Sequence, residues 1–398
     1  MSGIRLLVVD DNPHVSWQDR AHPVNATFHR FLAAVLDLPD APVRQIVHAV
    51  PMRPALGPPH SPPVDSRIQV VGTAPFDGIA GFLRHAGSVT RANHGILEPE
   101  IDAADLIWIK VPASNAALVG RLAGRAGTPR FGWVAGSAWR VAAGQERNPL
   151  VRLGAIGVGA AYDVIGRLAA GNRRIVVGRD IVDGDGIVAS LVEPSEVRDP
   201  SAVPWAPHQP VRIAWAGRVA SGKGIDSLLA LLAALPDTEL VMLGEGPSRR
   251  STEKRAARLG VAGRIEWRGF VADRDAYLDA LAAADIVVHP SPAEGFAKVV
   301  LDAMAVGAPV AAVPAGRLAE LATARLIAPI RRARRSPADP TASAVMSLLR
   351  DPVATQAMRE RAASFAAMHT RPQEAARLVT RLERWFPDLP WRAHRRQS

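Results

Sequence analysis

Short apolar runs alternate with stretches whose apolar residues recur at three- and four-residue spacing, and this alternation passes through the chain twice. Ile4 to Val9 is an apolar run of strand length, while Phe28, Phe31, Leu32 and Val35 mark one face of a helix. Residues 12–25, between them, are mostly polar and read as a long loop. Residues 51–66 are proline-rich and read as another. Further strands are expected at Ile68 to Val71, Asp105 to Ile109, Arg130 to Val134 and Ile175 to Val177, with a helix over Asn115 to Leu122. Strands alternating with helices predict a parallel sheet over residues 1–192.

From Glu193 to Pro210 the periodicity lapses and five prolines crowd together, as in a linker. A second series then begins. Strands are predicted at Arg212 to Ala216, Leu240 to Leu243, Ile265 to Trp267, Ile286 to His289 and Val310 to Val313. Helical spacing fills the intervals. Residues 338–366 read as helix broken at Asp351-Pro352, and residues 372–386 as a last amphipathic helix before a basic tail. The predicted class is α/β: a first doubly wound domain (1–192), a linker (193–210), a second (211–371) and a terminal helix with tail (372–398).

Composition changes this picture little. The 398 residues are 48% hydrophobic, enough for two cores. There is no cysteine, so disulfides, thiolate metal sites and cysteine nucleophiles are excluded. The first residues lack a signal-peptide pattern and no apolar run reaches membrane-helix length, so a cytoplasmic location is expected. The net charge of +10 is carried almost wholly by arginine; Lys110, Lys223, Lys254 and Lys298 are the four lysines. No aromatic interleaving or recognition motif accompanies that charge, so no nucleic-acid partner is expected.

Candidate chemistry lies in residues 285–310. The strand Ile286 to His289 is stopped by Pro290-Ser291-Pro292. Glu294-Gly295-Phe296 makes a turn, and a helix begins near Ala297 and ends at Gly307. Asp302 falls inside the helix, roughly 9 Å along its axis from Phe296. An extended polar ligand would touch both acids, with its anionic part over the free amides of the helix start. A second loop, Gly217-Arg218-Val219-Ala220-Ser221-Gly222-Lys223-Gly224, also opens a helix and carries two cations suited to a diphosphate. Alone, it equally suits a plain turn. Glu294 equally suits a helix cap, and Asp302 an exposed helix position.

Pro290-Ser291, Glu294-Gly295-Phe296 and Asp302-Ala303-Met304 resemble, in register, the two-acid signature of retaining nucleotide-sugar glycosyltransferases, glycosyltransferase family 4. Two positions depart: Ala297 stands for the usual glycine, and Asp302 for the second glutamate. The resemblance implies the GT-B fold, two Rossmann-like domains facing across a cleft, the last helix crossing back to the first. It implies that Glu294 meets the donor sugar and that Arg218, Lys223, Gly295, Phe296 and Ala297 hold the diphosphate. It further implies that Asp302 takes the ribose hydroxyls and Phe270-Val271 the base. Family members usually place glycines after the first strand, but none occurs between Gly3 and Gly57. Many carry a histidine where Ala135, Gly136 or Ser137 stands here, which leaves His14 and His22 as acceptor-side candidates.

No His, Asp or Glu group has metal-ligand spacing, so no metal and no cofactor beyond the nucleotide-sugar donor are expected. The expected activity is retaining, metal-independent transfer of a hexose-type sugar. The acceptor is expected to be a small molecule, since no basic amphipathic membrane helix is evident, with peripheral membrane contact left open. The alternatives are a non-catalytic nucleotide-sugar binder and a sugar-nucleotide epimerase.

Overall fold

The computed structural model describes residues 3–59, 61–139, 149–292, 296–331 and 339–391. They form two compact units. One comprises residues 1–179, 185–189 and 371–398, the other residues 180–184 and 190–370. The proline-rich stretch 193–210 therefore belongs to the second unit, where Pro194–Glu196 and Pro200–Ala202 form short 3-10 turns. The terminal helix Arg371–Trp385 belongs to the first.

The first unit holds β1 (Ile4–Val9), β2 (His14–Trp17), β3 (Arg20–Pro23), β4 (Val43–Pro54), β5 (Ile68–Thr73), β6 (Leu106–Val111), β7 (Arg130–Val134) and β8 (Arg174–Val176). The long strands run parallel in the order β5-β4-β1-β6-β7-β8. Alternate residues of β1 feed two cores. Ile4, Leu6 and Val8 join Phe31, Trp108, Trp133 and the apolar face of the terminal helix, Leu378 and Leu382 included. Leu7 and Val9 join Ile107, Ile109, Leu97 and Leu122 on the opposite face. A strand covered on both faces reads as an unbroken apolar run, which is why β1 is plain in the sequence.

Residues 12–25 are not the expected loop. His14 to Trp17 and Arg20 to Pro23 pair antiparallel, and β2 lies parallel on the last residues of β4, beyond the end of β1. Gln18 and Asp19 have φ of 48° and 58°, the two positive angles of a type I′ hairpin turn. This hairpin replaces the glycine loop that the family resemblance implies. β4 also departs from expectation. It runs twelve residues, through Pro51 to Pro54, where a loop is predicted to begin.

The second unit holds β9 (Val211–Ala216), β10 (Thr238–Leu243), β11 (Ile265–Gly269), β12 (Ile286–His289), β13 (Val310–Ala312) and β14 (Ala328–Pro329). All pairs are parallel, in the order β11-β10-β9-β12-β13-β14. In chain order this is 3-2-1-4-5-6, the doubly wound arrangement whose winding reverses between its first and fourth strands. Ile213, Trp215, Leu228, Leu232 and Val288 anchor its core.

Candidate active site

In such a sheet the crevice for a ligand opens beyond the carboxyl ends of the strands flanking the reversal. Here these are β9 and β12. The segment after β9 is Gly217 to Gly224, and the segment after β12 runs from Pro290 to Ala297. Both singled-out loops thus meet at one place, although about 70 residues separate them in sequence.

Glycines make that meeting possible. A Cβ built on Gly224 would lie 2.3 Å from the Pro290 carbonyl oxygen, and Gly224 has φ of +71°. Any side chain there would part the two loops. A Cβ on Gly244, at the end of β10, would lie 1.8 Å from the Gly217 oxygen. The Ser291 hydroxyl donates to the Gly222 carbonyl at 3.4 Å.

Arg218 is exposed and Lys223 half-buried on this loop. Gly224 is the cap of helix Ile225–Ala234 and brings no side chain to cap that helix start. The same holds at Ala297, the cap of helix Lys298–Ala305. At both helix starts the cap residue itself thus offers no side-chain acceptor to the first amides. Phe296 is half-buried and Ala297 buried. Glu294 and Gly295 lie outside the described residues. Phe270 follows β11 and is 75% exposed, with Val271 half-buried beside it, so a large aromatic face is open.

Asp302 is not the exposed helix residue of one reading but only 4% exposed. Its Oδ1 accepts from Arg274 at 2.8 Å and its Oδ2 from the Tyr277 hydroxyl at 3.3 Å. Arg274 reaches on to Glu196 with two more bonds of 2.9 Å. Burial raises the Asp302 carboxyl above its usual range against the pull of Arg274. Its first partners are thus protein groups. Arg274 carries no motif and goes unremarked in the sequence, because only folding brings it to Asp302.

Both acceptor-side candidates are buried. His14 is 1% exposed, its ring turned inward against His29 and His48. His22 is 8% exposed, with Nδ1 2.9 Å from the Ser61 carbonyl. Neither presents an open imidazole. Beyond the end of β1 stands a different group. Asp11 accepts from the Ser114 amide at 2.7 Å, the Ser114 hydroxyl at 2.6 Å and the Tyr162 hydroxyl at 3.1 Å. Burial pushes its carboxyl up to about 6. It too lies at the reversal point of its own sheet, between β1 and β6.

Parts of the chain are similar to known proteins. Residues 210–351 match the family model "Glycosyl transferases group 1". The GDP-mannose-dependent alpha-(1-6)-phosphatidylinositol dimannoside mannosyltransferase of Mycobacterium tuberculosis is 35% identical over 124 residues, 30% of this chain and 32% of that protein. The 2-deoxystreptamine glucosyltransferase of Streptomyces kanamyceticus is 31% identical over 157 residues, 38% of this chain and 40% of the relative. The chain thus spans about a third of the length of the curated relatives it matches. Among solved structures, sucrose-phosphate synthase from Thermosynechococcus elongatus superposes with TM-score 0.64 at 16% identity, covering 97% of this chain and 100% of the other. Anabaena HepE in complex with UDP does so with TM-score 0.58 at 16% identity, covering 96% and 100%. Residues 210–351 thus carry the match to the group 1 glycosyl transferases, and the chain has the GT-B fold of these solved structures.

Proposed function

We propose that the protein transfers a hexose-type sugar, with retention of configuration, from a nucleoside diphosphate donor held by the second unit. The observation that carries this reading is the meeting of the 217–224 segment with Pro290 and Ser291 at the sheet reversal, beside Arg218, Lys223 and the start of helix Ile225–Ala234. Together these offer fixed positive charge and amide donors to a diphosphate without a divalent ion. Phe296 and Ala297 lie at the start of the second helix. Gly295 would give the diphosphate backbone access, and Glu294 would steady charge on the sugar ring as its bond to the diphosphate breaks. Phe270 and Val271 would take the base. A ribose hydroxyl would reach Asp302 through a lone pair not used by Arg274 or Tyr277. Named relatives use GDP-mannose, and a structural neighbour is complexed with UDP; both are consistent with such a donor.

For the acceptor, one observation favours a second reading over a soluble small molecule. Helix Pro149–Ala169 exposes Val158, Ala161, Ile165 and Leu168 along one stripe, with Val151, Leu153 and Val164 beside it. An apolar surface of that kind suits an acceptor presented at a lipid interface. No helix among the described residues is long and apolar enough to cross a membrane.

The test is incubation with GDP-mannose and UDP-glucose, with and without a soluble or a vesicle-borne acceptor. Slow release of nucleoside diphosphate from one donor is expected. Tight binding of a donor with no hydrolysis or transfer would favour the non-catalytic binder instead.

A further inference from the structure

Three histidines that are far apart in sequence share one buried space in the first unit. His14 stands on β2, His29 on helix Thr27–Leu36 and His48 on β4. They are 1%, 5% and 0% exposed. One ring nitrogen from each falls within 4.8 Å of the other two. Ring centroids are 4.7 Å apart for His14–His29 and for His29–His48, and 5.7 Å for His14–His48. Phe28 packs edge-on against His48, with Trp108 packed edge-on against Phe28 in turn.

The hydrogen bonding of this cluster is incomplete. His14 Nδ1 donates to the Asn12 carbonyl at 2.8 Å, which leaves Nε2 with its lone pair facing inward. His29 Nε2 then donates to that atom at 2.6 Å. His29 Nδ1 and both nitrogens of His48 are buried with no hydrogen-bond partner. A protein rarely buries three such atoms unsatisfied without a reason. A carbonyl holding one ring N–H while the other nitrogen points into a shared space is the usual setting of a metal-binding histidine.

The charges nearby are balanced. Asp10 Oδ2 lies 3.8 Å from His48 Nε2, and Lys110 holds the same carboxylate at 2.7 Å with its ammonium over the Phe28 ring. Burial holds all three imidazoles below their usual range, His29 at about 3, with the neighbouring histidines and Lys110 lowering His29 and His48 further. They are therefore neutral at physiological pH, the form that binds metal.

We propose that His14, His29 and His48 bind one divalent transition-metal ion of the zinc type, clamping the β2–β3 hairpin and the first helix to β4. Three neutral imidazoles suit Zn²⁺ or Co²⁺. At metal–nitrogen distances of about 2.0–2.1 Å, tetrahedral ligands lie about 3.3 Å apart. The His14–His29 pair would part by under about 1 Å and the widest pair draw in by about 1.5 Å, within the reach of ring rotation. The site lies within the first unit and is independent of the donor site, so its role is to hold the hairpin in place.

The test uses the untagged full chain, stripped with a chelator and desalted. Titration with Co²⁺ should produce a visible d–d spectrum that saturates at one ion per chain. Zn²⁺ should abolish that spectrum and raise the Tm. His29→Gln and His14→Gln should each lower Co²⁺ affinity at least tenfold, while His22→Gln, a hairpin histidine outside the cluster, should not. The parent titration stands by itself should a cluster variant fail to fold. No stoichiometric Co²⁺ spectrum and no Zn²⁺-dependent Tm shift in the parent would overturn the proposal. So would well-folded cluster variants binding as tightly as the parent.

Discussion

The Glu196–Arg274–Asp302 group makes a quantitative prediction. One guanidinium serves two carboxylates through three bonds of 2.8–2.9 Å, and both acids are largely buried. Arg274→Met keeps most of the volume but leaves two like charges facing each other without a cation. Breaking a buried pair from one side costs about 3–5 kcal/mol. Arg274 is partly solvated, so the lower end, about 3 kcal/mol, is expected for the second unit at pH 7. The loss should depend on pH. Asp302 already has a raised carboxyl, and removing Arg274 raises it further. A carboxylate raised in the fold is penalised above its folded pKa, and the penalty disappears as pH falls toward its unfolded value near 4. The variant should therefore recover relative to the parent between pH 7 and pH 4.5, where Asp302 becomes a neutral donor. Hydrogen exchange of the β9, β12 and Lys298–Ala305 amides, read at both pH values, reports this unit by itself. Adding Asp302→Asn to Arg274→Met should restore at least 1 kcal/mol at pH 7, the coupling expected of residues in one network. A loss under about 1 kcal/mol that does not change with pH, with no coupling to Asp302→Asn, would refute the reasoning.

Further predictions concern the two sites. Arg218→Ala and Lys223→Ala should each weaken nucleoside diphosphate binding by about 1.5–3 kcal/mol in calorimetry, with the Tm of the unliganded protein unchanged. Glu294→Gln should lower kcat about tenfold or more at saturating donor while nucleotide Kd stays within twofold, since only the transition state would use its charge. EDTA should leave nucleotide Kd at the donor site unaltered, because that site offers cations and amides rather than metal ligands; lost affinity restored by Mn²⁺ would contradict it. Asp11→Asn should flatten the pH dependence of the first unit. In the parent, a carboxyl raised to about 6 makes stability fall as pH rises from about 4 to about 6, by up to about 3 kcal/mol. Urea unfolding followed by exchange of the β1 amides measures that slope.

Much of the second unit was legible in its sequence. Its strands are buried on both faces, so each appears as an apolar run, and the strand–loop–helix units follow from Gly, Pro and helical spacing. The two loops with Arg218, Lys223, Phe296 and Ala297 could be picked out because glycine and charge at a helix start carry a local physical meaning. What the sequence did not contain was the side each strand takes. The reversal between β9 and β12, which brings those loops together, exists only in the sheet order. The β2–β3 hairpin was hidden because its strands are short and polar, and its pairing depends on the far end of β4. Nothing in the sequence marked Asp302 as buried, because a carboxylate in a helix is ordinarily solvated, whereas here it is paired with Arg274, 28 residues away. His14, His29 and His48 show no ligand spacing because they come from a strand, a helix and another strand. Spacing along a chain reports only neighbours within one element. Which elements share an interior is decided by packing, and in this protein packing selected the histidines, the arginine and the meeting of the loops.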